Sequence, residues 1–191
     1  MSRVLAVGSV AFDDLELPTG HFRDVWGGSA SYASLAASLF TTIDLVAVVG
    51  EDFPEPYLDQ LRKHGIRTEG VERVQGKSFR WAGRYDATLS SRVTLDTQLN
   101  VFANFRPKIP TISRKAPFVL LGNIHPALQL EVLEQVEAPK FVVADTMNFW
   151  ITGERSYLNQ LLKHIDVLVI NEEEARQLGE HHNVTRATHR I

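Results

Sequence analysis

Leu45-Val46-Ala47-Val48-Val49-Gly50 is a continuous apolar run of strand length that ends in glycine, and Val4-Leu5-Ala6-Val7-Gly8 repeats the pattern near the start of the chain. A strand with one wet face alternates apolar and polar residues. These two do not alternate, so each is expected to be covered on both faces. Between them, residues 29–40 carry Ala30, Ala33, Ala36, Ala37, Leu39 and Phe40, a small-residue surface that lets a helix pack close to a sheet. The unit reads as β-α-β, which builds a parallel sheet.

Outward from this unit, Pro54 and Pro56 open a second helix through Tyr57, Leu58 and Leu61, and Gly65 stands where a left-handed residue would end it. The pattern changes over 71–105, where Phe79-Arg80-Trp81 and Arg92-Val93-Thr94-Leu95 are rich in aromatic and β-branched residues. These predict antiparallel strands in a small β insertion. After Pro107 and Pro110 the rhythm returns as strand 118–122, helix 126–136, strand 141–145, helix 155–164 and strand 167–170. Tyr157, Leu158, Leu161, Leu162 and Ile165 share one helical face. The fold expected is α/β, a mostly parallel doubly wound sheet, with ligands beyond the carboxyl ends of its strands. Val167-Leu168-Val169-Ile170 reads as a strand covered on both faces, yet only one short helical stretch follows it before Ile191. A strand that apolar prefers neighbours to an open edge, so the C-terminal part of the fold is expected to be missing from the chain.

Composition narrows the function classes. The 191 residues are 44% apolar and 23% charged with a net charge of -3, as in folded globular proteins and unlike disordered chains. Lys and Arg are scattered, which leaves no footprint for nucleic acid. The longest apolar runs are strand-length, far below the roughly 20 residues of a spanning helix, so no membrane attachment is expected. The first strand begins without a basic or signal-type segment, and a cytoplasmic location is expected. The absence of cysteine excludes disulfides, thiolate metal sites and cysteine nucleophiles.

Polar residues follow several of the predicted strands. Asp13 and Asp14 lie just beyond the first, where a carboxylate can accept hydrogen bonds from vicinal sugar hydroxyls or can serve as a solvated turn. Trp26-Gly27-Gly28-Ser29 precedes the small-residue helix, either as a tight turn capped by Ser29 or as a place where a polar ligand approaches free N–H groups. Asp145-Thr146-Met147-Asn148 and Asn171-Glu172-Glu173-Glu174 follow later strands, and the Asn171–Glu174 spacing is also that of a capping box. No dinucleotide fingerprint, phosphate loop or nucleophile elbow occurs. His181, His182 and His189 lack the carboxylate or thiolate framework of a metal site and read as a solvated surface.

Gly8-Ser9 with Asp13, the helix entry Gly27-Gly28-Ser29-Ala30-Ser31-Tyr32, the segment Val48-Val49-Gly50-Glu51-Asp52-Phe53, the β insertion, and Asn171 with Glu174 occur in an order that resembles the ribokinase-like (pfkB-type) carbohydrate kinases. The resemblance runs from Val4 to about Gly179. It implies an α/β domain with a small β-sheet lid in which ATP and Mg2+ serve the phosphorylation of a sugar or nucleoside hydroxyl. By the same resemblance Asp13, Gly27 and Gly28 contact substrate, and Tyr32 replaces a family Asn, where it would stack or donate one hydrogen bond. Asn171 and Glu174 match the N-x-x-E motif that organises magnesium through water, without direct metal ligands, and Asp145 and Asn148 would border the phosphate path. The chain is then the N-terminal portion of a kinase domain over 1–191, with lid strands within 10–26 and 71–106 and the lid as the surface of a homodimer. The family's Gly-Ala-Gly-Asp segment, source of the catalytic base, has no match. No catalytic residue is assigned, and the 191-residue chain alone is expected to be inactive. The alternatives are a sugar-binding or dimerisation module without chemistry and an unrelated Rossmann-like enzyme, the latter disfavoured by the missing fingerprint.

Overall fold

A computed structural model describes residues 3–89 and 91–191. The strands of the main sheet are β1 (Arg3–Val7), β4 (Thr42–Gly50), β5 (Ile66–Val74), β8 (Phe118–Leu121), β9 (Phe141–Asp145) and β10 (Val167–Val169), in the spatial order β10-β9-β8-β1-β4-β5. Every neighbouring pair is parallel, with Val7 opposite both Val46 and Leu121. The continuous apolar runs find cover on two sides, as expected. Leu5, Val7, Val46 and Val48 pack with Val132, Leu158 and Leu161, whereas Ala6, Leu45, Ala47 and Val49 pack with Ala30, Leu58 and Leu61.

The helices supply that cover. α1 (Ser29–Ser38) and α2 (Glu55–Lys63) lie on the Ala6 side, and α3 (Pro126–Gln135) and α5 (Arg155–Leu161) on the Leu5 side. Pro54 caps α2, and Gly65 ends it with φ 76°, a conformation that favours glycine. α4 (Asn148–Gly153), α6 (Glu172–Leu178) and α7 (Val184–Thr188) are shorter.

Four strands form a second sheet. β2 (Ala11–Leu17) and β3 (Gly20–Gly27) make one hairpin, β6 (Phe79–Tyr85) and β7 (Arg92–Gln98) the other, in the order β3-β2-β6-β7. The expected antiparallel insertion is therefore mixed, because β2 and β6 join the hairpins by a parallel ladder. Residues 71–74, read as part of the insertion, continue β5 in the main sheet, where Gly50 pairs with Val74. A second difference concerns β10. It is the outermost described strand, and Val167 and Val169 are exposed rather than covered, since no described helix crosses that face.

The chain leaves β1 for β4 and β5 on one side and later returns to build β8, β9 and β10 on the other. The direction reverses between β1 and β8. Parallel sheets open a crevice beyond their carboxyl ends at such a point, and the second sheet stands over it.

Candidate functional site

The crevice is framed by close backbone approaches. Gly8 after β1 and Gly122 after β8 sit so near each other that a Cβ on Gly8 would lie 3.2 Å from the Gly122 Cα, and one on Gly122 would lie 2.7 Å from Ser29 Oγ. The start of α1 is drawn into this gap. Ser9 Oγ accepts the Ser29 amide at 3.0 Å, and the Ser9 carbonyl accepts the Ala30 amide at 3.0 Å. Ser29 does not cap its own helix. Gly28 occupies the cap position with φ 99°, and the capping oxygen comes from Ser9 because a side chain at Gly28 would collide with the Ser9 carbonyl.

Asp13 and Asp14 separate into different roles. Asp14 Oδ1 accepts the Asp24 amide at 2.9 Å and spans the irregular pairing within the β2–β3 hairpin. The Asp13 carboxylate lies against Gly27, where an added Cβ would overlap it, and among the described residues it accepts no hydrogen bond. Burial, and then the neighbouring Asp14, push its pKa up from 3.8 to about 6. It is a half-buried acceptor without a protein donor, beside the exit of Gly27 and Gly28 into α1. Tyr32 lies one turn along that helix, exposed, with its hydroxyl donating to the Trp26 carbonyl at 2.6 Å. Trp26 is fixed in turn by Ser31 at 3.1 Å and by stacking on Tyr57.

The later strand ends carry the second group. Asp145 closes β9, and its pKa is raised to about 6 by burial and then by Glu174, against smaller lowering effects from the Thr146 backbone and Arg92. Asn171 and Glu174 form a complete capping box at the start of α6, with both bonds at 2.9 Å and Glu174 buried. Asn148 donates to Gln177 Oε1 of α6 at 2.9 Å, so it ties two helices together. The expected residues thus fall into two groups, Asp13 with Gly27 and Gly28, and Asp145 with Asn171 and Glu174. Tyr32 and Asn148 flank them.

Other residues at these ends carry no local signal in the sequence. The buried Gln129 amide donates to the carbonyls of Gly122 and Asp145, both at 2.9 Å, and so bridges the ends of β8 and β9. Asn123 Oδ1 accepts the Trp150 indole N–H at 2.8 Å, which leaves the Asn123 amide nitrogen as a donor. His125 Nδ1 accepts the Ala127 amide at 3.1 Å, and Nε2 faces Glu154 at 3.4 Å. A shallow hollow at the opposite, amino end of the sheet is lined by Asp44, Arg67, Pro110 and Ile112 and takes no part in the crevice.

Among the described residues no group of three or more His, Cys, Asp or Glu side chains could hold a metal directly. Asp145 and Glu174 interact strongly enough for one to raise the other's proton affinity, and a cation held through water would relieve that repulsion. The residues present therefore fit a hydrated divalent ion. Among the described residues no helix is long and apolar enough to cross a membrane.

The model of the pfkB family carbohydrate kinases matches residues 1–190. The cytidine kinase of Thermococcus kodakarensis is 24% identical over 180 residues, which cover 92% of this chain and 63% of that protein. The chain therefore spans less than two thirds of the length of this curated relative. The ribokinase of Cryptococcus neoformans, solved with ADP, superposes over 100% of this chain and 67% of its own with a TM-score of 0.73 at 19% identity. The nucleoside kinase of Methanocaldococcus jannaschii gives a TM-score of 0.73 at 16% identity over 100% of this chain and 68% of its own. At these identities the superpositions establish the fold.

Proposed function

The chain belongs to the pfkB family of carbohydrate kinases, and from that membership we propose that it forms the acceptor-binding part of an ATP-dependent sugar or nucleoside kinase. The observation that carries the reading is the Asp13 carboxylate, half-buried, without a donor among the described residues, and lying where a side chain on Gly27 would otherwise stand. Such a group accepts two charge-assisted hydrogen bonds from neighbouring hydroxyls, each worth about 1.5 to 3 kcal/mol. Gly27 and Gly28 let the acceptor approach the backbone at the start of α1. Tyr32 lies at its rim.

In the complete family domain ATP supplies the phosphoryl group and magnesium offsets its charge. Within this chain Asp145 and Glu174 would hold the hydrated cation, Asn171 fixes Glu174 in place, and Asn148 fixes the facing helix end. Phosphoryl transfer relies on positioning and electrostatic stabilisation together with a group that takes the hydroxyl proton. The 191 residues contain no Gly-Ala-Gly-Asp segment, and the chain alone is proposed to bind acceptor without turnover. A cytoplasmic location and a homodimer through the lid belong to the same proposal. Exposed Phe22 of β3 and Val93 and Leu95 of β7 support the latter.

Calorimetric titration of the purified chain with D-ribose and with nucleosides tests this reading. Saturable binding that Asp13→Asn removes is the expected result, with no ADP formed from ATP and Mg2+. No binding by the folded chain would overturn the acceptor assignment, and sugar-dependent ADP formation would overturn the binding-only part.

A further inference from the structure

The lid face that carries Asp13 also carries an aromatic ring laid along a glycine. Asp13 is paired with Trp81 in the β2–β6 ladder, and directly paired residues point to the same face of a sheet. On that face Gly83 is opposite Thr94 and Tyr85 is opposite Arg92. The Trp81 indole runs over Gly83 so closely that a Cβ there would overlap three atoms of its six-membered ring, and Trp81 Nε1 donates to Thr94 Oγ1 at 3.3 Å. One face of the indole is thus set on backbone and its only polar atom has a partner, which leaves the other face for a flat ligand.

The opposite lid face has a different chemistry. Arg80 pairs with Asp24 and lies over Phe12 at 4.7 Å, and Arg84 pairs with Glu16. These groups are matched among themselves. The Trp81 face is the one turned to the crevice, since Asp13 on that face lies against Gly27 where the chain enters α1.

We infer that the site takes a nucleoside rather than a free sugar, with Asp13 accepting from the sugar hydroxyls and the Trp81 indole stacking on the base. The inference rests on the acceptor-site reading above and narrows it. Every nucleobase has a π face, so a fixed indole without a free hydrogen-bonding group strengthens binding of purine and pyrimidine nucleosides alike. A sugar lacking a base gains nothing comparable from it.

The test is calorimetric titration of the full 191-residue chain with cytidine, adenosine and methyl β-D-ribofuranoside, which presents the same sugar without a base. Both nucleosides are expected to bind at least about 10-fold tighter than the riboside. Trp81→Ala should remove that advantage and leave riboside affinity unchanged, and Trp81→Phe should keep most of it. Circular dichroism checks that each variant folds. Should Trp81→Ala fail to fold, Gly83→Ala, which displaces the ring, must show the same selective loss. Riboside binding as tight as nucleoside binding, or a loss of Trp81 that lowers neither, overturns the inference and leaves the Asp13 site standing. If the folded wild-type chain binds none of the three, the acceptor-site reading falls and the inference falls with it.

Discussion

The Asp13 carboxylate occupies the space that a side chain on Gly27 would fill. The two residues lie on adjacent strands of one hairpin, Asp13 in β2 and Gly27 at the end of β3, and the acid reaches the crevice only because its neighbour has no Cβ. The relationship makes Gly27 a requirement of the site and Gly28 a requirement of the fold. The first two predictions separate the consequences.

Gly27→Ala would meet only the movable end of the Asp13 side chain. We expect a stability loss below about 1 kcal/mol in chemical denaturation and acceptor affinity reduced at least about 10-fold, near the weight of one charge-assisted hydrogen bond. Gly28→Ala would meet the Ser9 backbone at φ 99°. It should cost about 1 to 3 kcal/mol in the same measurement.

Asp13 also predicts opposite pH trends for stability and binding. Its folded pKa of about 6 lies above the ordinary 3.8, so folding favours the neutral acid. The stability it contributes is fully present below pH 3.8 and is lost as pH rises towards 6. Asp13→Asn should match wild type at pH 3.5 and exceed it at pH 7 by about 1 to 2 kcal/mol, a figure reduced for partial exposure. Acceptor binding by wild type should instead strengthen as pH rises through about 6. Denaturation and calorimetry across this range check both trends.

Asn171 and Glu174 close the start of α6, and Glu174 also acts on Asp145. Asn171→Ala removes one arm of the capping box and should cost about 1 kcal/mol. Glu174→Gln preserves the acceptor for the Asn171 amide but removes the charge beside Asp145, whose pKa should fall from about 6 towards the usual carboxylate range. Carboxyl-carbon NMR titration of Asp145 reads the shift.

Asp44 offers a control far from the crevice. It is 3% exposed, accepts from Arg67 Nε at 2.6 Å and lies 3.5 Å from Arg3 Nε. Asp44→Ala leaves Arg67 without its partner and should cost about 3 to 5 kcal/mol in denaturation. Acceptor affinity of the fraction that remains folded should not change.

The parallel sheet is legible in the sequence because β1 and β4 must be covered on both faces, and runs such as Leu45-Val46-Ala47-Val48-Val49 leave no alternation to suggest otherwise. The lid is less legible. Its strands announce themselves by Trp81, Val93 and Thr94, but the parallel pairing of β2 with β6 joins residues distant along the chain, and no local pattern encodes it. The face shared by Asp13 and Trp81 is visible only once that register is known. The choice between Asp13 and Asp14 likewise depends on the irregular pairing of the hairpin, which turns Asp14 towards the Asp24 amide. Gln129 and Asn123 were missed because their bonds reach across strand ends and to Trp150. The Asn171–Glu174 capping box was legible from its spacing alone, because both of its bonds close within four consecutive residues.

The Ser9 contacts with α1 hold two of the four chain crossings between the lid and the main sheet. The other two meet at Ser78, whose amide and hydroxyl both donate to Asp52 at 2.7 Å and whose carbonyl accepts from Asn100 at 2.9 Å. Between these points Phe12 of β2 packs on Phe53 and Phe79 of β6 stacks on Phe102, so the lid is riveted along a seam, and a ligand that bridges Asp13 and the strand ends would add one more rivet.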